Sequence, residues 1–396
     1  MVATYRPETD ILTESKVDLD LAEIKTYLAA DDVPSAMGVY ATVTNSDQSL
    51  ESISSPGYDT MAGTFNLRTW WDVYMTFWGE INYADVFVDT YVGGTYQVDT
   101  KRELIQKGIA YQGVWMQAVH KFEAAIASCK RGDTADVVQA KQEWDRGMAY
   151  YVGSLEGTTT GASAGNLLYN LAQKRCEDFG TCATTTDAST IAAANAKVVA
   201  HATAGMAYFV HAQLLCTDPQ LRNEFEGIVS QMTVPLVQGL LKYAWKADPA
   251  QTGGSCSGAA GLAESAVSAD CAKSWAEGWA FSAAVLPQIH ECDSMAATTV
   301  RANLDIDGAE PMVDGAAAVK DAVESVYGCL GITCTDVGAY QAGGSVFAGM
   351  GACTFDAATQ TTGSTEAGGG TVAMTDAAAR RAGAALAAAL VAAVVA

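Results

Sequence analysis

Basic residues are scarce in this chain: Lys and Arg total 23 against 45 Asp and Glu, giving a formal net charge of −22. That deficit excludes nucleic acid as a partner, because its phosphates would be repelled. It favours cations as ligands, although an acidic surface by itself also keeps a protein soluble. Cys-x-x-Cys spacing is absent, so the ten cysteines do not read as a metal site. Also missing are a Gly-rich phosphate loop, a Gly-x-Ser-x-Gly elbow, a His-Glu-x-x-His pair and an Asp-x-Asp-x-Asp-Gly calcium loop. Neither a hydrolase nor a nucleotide enzyme is expected, and the chain reads as a non-enzyme. Alternating strand patterns are few, and Asn-x-Ser/Thr acceptors do not occur. Residues 1–7 have no apolar core, so the secretory leader that an oxidising destination requires is expected to be missing from this sequence.

The cysteines that are present suggest that destination. Their number is even, Cys176 and Cys182 lie six positions apart, Cys329 and Cys334 five apart, and Cys256 and Cys271 close a loop that starts Gly/Ser-rich. Loops closed in this way read as disulfides, with Cys176–Cys182 and Cys329–Cys334 as local pairs and at least eight cysteines bonded. The chain ends in fifteen residues, Ala382 to Ala396, made only of Ala, Gly, Leu and Val. That is short of the roughly 20 residues of a spanning helix. Behind a polar spacer and Gly368 to Gly370 it is similar to a lipid-anchor attachment signal. A truncated membrane anchor is the rival reading, and an Ala-rich tail the bland one.

Apolar residues at helical spacing predict helices over 21–41, 102–128, 134–155, 166–177, 189–215, 219–246, 270–288 and 315–327, with a very aromatic stretch at 66–88. The expected fold is all-α: two pseudo-repeated helical bundles, disulfide-stapled, with a Gly/Ala/Thr-rich stalk and a C-terminal hydrophobic anchor. The expected divisions are 17–165 for the first repeat, 166–337 for the second, 338–381 for the stalk and 382–396 for the anchor or anchor signal.

The repeat shows in a short box. Trp144-Asp145-Arg146-Gly147-Met148-Ala149-Tyr150-Tyr151 and Trp275-Ala276-Glu277-Gly278-Trp279-Ala280-Phe281-Ser282 share Trp-x-x-Gly-x-Ala-aromatic. Duplication predicts a seam between bundles, and seams are where ligands sit. On a helix, Trp144, Gly147, Met148 and Tyr151 form a core stripe, and Arg146 and Tyr150 sit one turn apart on another face. Asp145 and Glu156 are about 16 Å apart along an unbroken helix, so one ion reaches both only if the helix breaks near Gly153. Phenol and carboxylate oxygens are hard donors suited to Fe³⁺, and an adjacent Arg can hold an anion that completes the shell. His120-x-x-Glu123 and His290-Glu291 are weaker candidates, each readable as ordinary surface.

The run Trp144 to Gly157 resembles the signature of the algal iron-assimilating proteins, which include the phytotransferrins. The resemblance continues in Asn82 to Asp85, Leu168 to Cys182, Val234 to Tyr243, Ala276 to Phe281 and Pro311 to Cys334. It implies ferric iron capture at the cell surface, on the extracellular face of the plasma membrane, by way of the secretory route. It also implies carbonate as companion anion, internalisation to endosomes, and an endocytic, reductase or transporter partner. Arg146 departs from it, standing where family members often carry an acid. On this footing the expected Fe³⁺ ligands are drawn from Tyr83, Asp85, Asp145, Tyr150, Tyr151, Glu156 and Glu277, with Arg146 and Arg175 near the anion. Tyr150 comes first because it shares a face with Arg146, and one strong site is expected because its counterpart Phe281 has no oxygen. An imelysin-like helical peptidase or metal-binding protein is the alternative, although its Gly-x-His-x-x-Glu box fails at Ala118. A structural surface protein is the third reading.

Overall fold

The computed structural model describes residues 5–54, 69–131, 134–156, 164–184, 190–210, 216 and 218–354. Most of the expected stalk, and all of the expected anchor, lie outside them. No helix among the described residues is long and apolar enough to cross a membrane. Residues Met1–Ala357 make one compact unit, and its core runs without interruption from Tyr5 to Met350.

The all-helical expectation holds. The order is α1 (Leu12–Ser15), α2 (Val17–Ala29), α3 (Val33–Ala41), α4 (Leu50–Ile53), α5 (Trp70–Trp78), α6 (Tyr83–Gly93), α7 (Val98–Gly108), a π-helical turn (Ile109–Val114), α8 (Trp115–Arg131) and α9 (Thr134–Val152). There follow α10 (Leu168–Phe179), α11 (Ala193–Val210), α12 (Pro219–Ala247), α13 (Ala269–Cys292), α14 (Ser294–Leu304), α15 (Gly315–Ser325), α16 (Tyr327–Leu330) and α17 (Cys334–Val337). Two short antiparallel pairs complete it: β1 (Cys182–Thr184) with β2 (Thr190–Ala192), and β3 (Gln341–Ala342) with β4 (Ser345–Val346).

Breaks in the expected helices have local causes. The first splits at Asp31, which takes a positive φ of 58°, after which Asp32 caps α3 by accepting the Ser35 amide at 3.1 Å. The aromatic stretch splits at Gly79, whose φ of 77° ends α5. The long helix from α7 into α8 is continuous but passes through the π turn, and all six residues of that turn are buried.

The helices pack as neighbours in sequence, α8 on α9, α11 on α12 and α12 on α13. One large contact joins the halves: α7 lies along α13. The two boxes occupy like surroundings. Trp144 on α9 is fully buried and donates its indole N–H to the Ala202 carbonyl at 2.9 Å. Trp275 on α13 is fully buried and donates to the Leu304 carbonyl at 3.1 Å. In both, the Gly three residues on admits a neighbour: a Cβ at Gly147 would stand 2.7 Å from the Phe122 ring, and one at Gly278 2.8 Å from the Leu304 side chain.

All ten cysteines are bonded, as Cys129–Cys216, Cys176–Cys182, Cys256–Cys271, Cys292–Cys329 and Cys334–Cys353. The expected Cys329–Cys334 pair is therefore corrected. Gly331, at a φ of 73°, ends α16 in the left-handed conformation and turns the chain between the two cysteines. Cys329 then meets the end of α13, and Cys334, opening α17, meets Cys353 beyond the β3–β4 hairpin.

Glu123 accepts the Trp70 amide at the start of α5 at 3.1 Å, while its second oxygen is buried without a partner. Burial pushes its carboxyl up to about 7, against the lowering effect of the Trp70 amide. The folded state therefore prefers the protonated acid. Its contribution is complete below the unfolded value near 4.5 and is lost as pH rises through about 7. Glu123→Gln, which keeps the acceptor and removes the charge, should raise stability at pH 8 by about 1–3 kcal/mol and leave it nearly unchanged at pH 4. Urea unfolding at both pH values checks this, and a variant weaker than wild type at pH 8 contradicts it.

Candidate functional site

A cavity of about 200 Å³ lies where α2, α7, the π turn, α10, α12 and α13 meet. Lys25 enters from α2, Gln106 and Lys107 from α7, and Tyr111 from the π turn. Asn170, Lys174 and Arg175 come from α10, Tyr243 from α12, and Glu277 and Phe281 from the second box on α13. Four cationic side chains thus face one carboxylate in a chain whose net charge is −22.

The aromatic wall is a stack. Phe281 lies between Tyr111 (centroids 5.3 Å apart, planes 19°) and Tyr243 (5.8 Å, 13°). Gly239 makes room for it, since a Cβ there would stand 2.7 Å from the Phe281 ring. The Arg175 guanidinium sits over Tyr243 at 5.6 Å and over Phe281 at 5.7 Å.

The charges are interlocked. Lys107 pairs with Glu103 and, at 3.5 Å, with one oxygen of Glu277. Burial pulls the Lys107 ammonium down, but Glu277 and Glu103 together outweigh it and hold it up at about 12. Glu277 is pushed up by burial, with Lys107 opposing and Glu103 adding to the rise. Arg175 donates one terminal nitrogen to Asp178. Lys25 donates to Asn166 at 2.9 Å, and burial together with Lys107 and Lys174 pulls it down to about 8. Lys174 is lowered by burial and by Arg175. Three buried polar atoms in this wall have no hydrogen-bond partner among the described residues: Oε2 of Glu277, Nε of Arg175 and Nδ2 of Asn170. An unpartnered buried polar atom costs about 1–3 kcal/mol, more when charged, unless something fills the space.

Of the nine residues singled out from the sequence, Glu277 and Arg175 line this cavity and seven do not. Asp145 accepts the Tyr5 hydroxyl at 2.7 Å and the Thr9 amide and hydroxyl at 2.8 Å, so it pins the N-terminal segment. Arg146 lies between Glu14 (2.7 Å) and Glu143 (2.8 Å). Tyr150 is buried near Gln117, and burial together with Asp47 pushes its hydroxyl well up. Tyr151 donates to Asn195. The helix does break at Gly153 (φ 79°), yet Glu156 turns to the Ala164 and Gly165 amides at 3.2 and 2.9 Å, away from Asp145. Tyr83 packs on Trp71 and Tyr74, and Asp85 accepts the Tyr40 hydroxyl at 3.0 Å. Among the described residues no three His, Cys, Asp or Glu side chains gather as a metal cluster. His290 and Glu291 line a separate, more open cavity of about 360 Å³ with Phe77 and Arg301.

Sequence reasoning missed Lys25, Lys107, Lys174, Tyr111 and Tyr243. A weak signal was present: Lys107 and Tyr111 are four apart, and Lys174 adjoins Arg175, in a chain otherwise poor in basic residues.

The chain is thus of the disulfide-stapled, all-helical class, with a cation-walled, oxygen-bearing cavity where its helices meet. The family is more specific. The chain belongs to the low iron-inducible periplasmic proteins (Fea1), which it matches over residues 1–345. Neither a curated protein nor a solved structure matches it.

The two inner lysines should differ in reactivity. Competitive amine labelling read by mass spectrometry should give Lys25 a titration midpoint near pH 8, while Lys107, held near 12, stays unlabelled up to pH 10. Equal labelling of both would mean that the Glu103–Lys107–Glu277 network is open to solvent.

Proposed function

We propose that this chain captures ferric iron at the cell surface for uptake, with carbonate as companion anion, and that the seam cavity is where the ion is held. Support comes from membership of a family induced by low iron. Five disulfides suit the secretory route and an extracellular position, with passage to an endosome on internalisation. The observation that carries the reading is the unpartnered Glu277 oxygen sharing one cavity with the Tyr111 phenol and the unpartnered Arg175 Nε. A carboxylate and a phenolate are hard donors for Fe³⁺, and a guanidinium is the matching group for a planar oxyanion. Of the ligand set named from sequence, this reading keeps Glu277 at the metal and Arg175 at the anion, and adds Tyr111.

An anion is required by the electrostatics. Two like unit charges ~8 Å apart repel by about 2 kcal/mol at an effective dielectric of ~20, and a trivalent ion feels three times that from each cation. Protons compete for the same oxygens. The carboxyl of Glu277, already raised by burial, takes up its proton at a less acidic pH than an exposed glutamate would, so iron is released as pH falls.

Iron titration with carbonate should produce a phenolate-to-iron charge-transfer band in wild type. Tyr111→Phe should abolish that band. Tyr111→Phe and Glu277→Gln should each weaken iron binding by at least the roughly 10–100-fold that losing a mere supporting residue costs. Tyr150→Phe, outside the cavity, should bind as wild type. A Tyr111→Phe protein that keeps band and affinity places the iron elsewhere. Wild-type affinity should also drop between pH 7 and pH 5, and Glu277→Gln should flatten part of that drop.

A further inference from the structure

The lining of the seam cavity carries four cationic side chains and one carboxylate. These are Lys25, Lys107, Lys174 and Arg175 with Glu277; behind the wall Glu103 shares Lys107 and Asp178 takes one nitrogen of Arg175, while burial and neighbouring cations lower Lys25 and Lys174. The cavity measures about 200 Å³. A water molecule takes about 30 Å³ in the liquid, so the space holds roughly six or seven of them. Arg175 is 7% exposed, uses a terminal nitrogen on Asp178 and leaves Nε without a partner. Glu277 is 5% exposed and leaves Oε2 free. Lys25 spends one of its three donors on Asn166. The wall therefore presents spare donors of positive charge from α2 and α10, with a spare carboxylate oxygen on α13.

We propose that the seam cavity recognises a small polycarboxylate of the hydroxy-acid type, and that iron enters and leaves as its anionic chelate. The guest's carboxylates pair with Arg175, Lys174 and Lys25, where charge-assisted hydrogen bonds supply both affinity and orientation. Glu277 lies on the other side, where a guest carboxylate would be repelled and a hydroxyl proton or the chelated ion is accepted. Loading is then ligand exchange without any redox step. The guest keeps most of the iron's coordination shell, and the Glu277 carboxylate replaces one bound water, which returns to solvent. The iron half of this inference rests on the function proposed above, whereas the polycarboxylate half stands on the cavity alone.

Citrate is the probe for calorimetric titration of the full, iron-free chain. It should bind with a 1:1 stoichiometry, tighter than acetate, phosphate or carbonate by tenfold or more, and more weakly as salt is raised. Tricarballylate, which lacks the hydroxyl, should bind several-fold more weakly than citrate. Lys174→Gln and Lys25→Met should each weaken citrate about tenfold. Lys174→Gln changes an exposed side chain, so it tests the idea even where replacing buried Arg175 unfolds the protein. Citrate binding no tighter than phosphate or acetate overturns the proposal, as does binding that Lys174→Gln and Lys25→Met leave intact. Ferric ion held with carbonate alone by a chain that ignores citrate overturns it while sparing the iron reading. A chain that binds citrate but retains iron from neither source supports the polycarboxylate half and sinks the iron reading.

Discussion

One buried ammonium, Lys107, serves two carboxylates, and the seam is organised around it. Lys107 ends α7 in the first half; Glu103 lies one turn back on the same helix, and Glu277 lies across the seam on α13. Removing water from such charges costs several kcal/mol per ion, so burial is tolerated only where the partners are close. The division of that lysine is unequal. Glu103 is held below its ordinary value because Lys107 and Lys273 outweigh the cost of burial. Glu277 remains raised because burial, with the repulsion of Glu103 added, outweighs the lowering by Lys107 and Arg175. The seam thus keeps one carboxylate satisfied and leaves another with a free oxygen facing a cavity, which is the condition a ligand can relieve.

The two boxes, alike in how they seat their Trp residues, differ in the charges they leave open. Arg146 and Glu277 each stand two residues after the box Trp, with opposite charge. In the first box, Arg146 is claimed on both sides by Glu14 and Glu143, and Lys121 adds a 3.0 Å pair to Glu143. Every strong charge there has a protein partner. In the second, the position six after the Trp is Phe281, whose two flat faces take Tyr111 and Tyr243. The missing hydroxyl in the second box is thus no loss of chemistry. Phe281 holds two phenols from other helices in register, and those phenols never appear in the box itself.

How far the sequence was legible follows from the range of each interaction. The Trp-x-x-Gly spacing was legible because its cause is local: an indole needs a carbonyl, and the glycine one turn on lets the partner helix close. The helices were legible for the same reason, apart from breaks set by single residues such as Asp31 and Gly79. Lys25 and Lys174 were not legible, because 149 positions separate them and only the packing of α2 and α10 around the seam unites them. The π turn hid Tyr111 further, since its wider spacing moves side chains off the face that a 3.6-residue period assigns. Cys329 and Cys334 misled for the opposite reason: short spacing suggested a local bond, and one left-handed glycine sent them to distant partners.

The acidic composition also looks different once the carboxylates are placed. Asp18 accepts the Asn166 amide at 2.7 Å and the Leu155 amide at 3.2 Å, and Asp20 accepts the Asn45 and Ser46 amides at 2.8 and 3.1 Å. Asp145 and Glu156 do the same for the N-terminal segment and for the Ala164–Gly165 turn. Each is a side chain standing in for a backbone carbonyl, so that loops crossing the bundle ends keep their amides satisfied. Carboxylates that stand beside phenols in sequence, Asp145 and Glu156 among them, thus hold backbone amides in the fold. Glu277 differs from these clamps in that one of its buried oxygens has no partner among the described residues. Its neighbours are a shared lysine, an arginine with a spare donor and a phenol, an arrangement with no purpose in holding a loop.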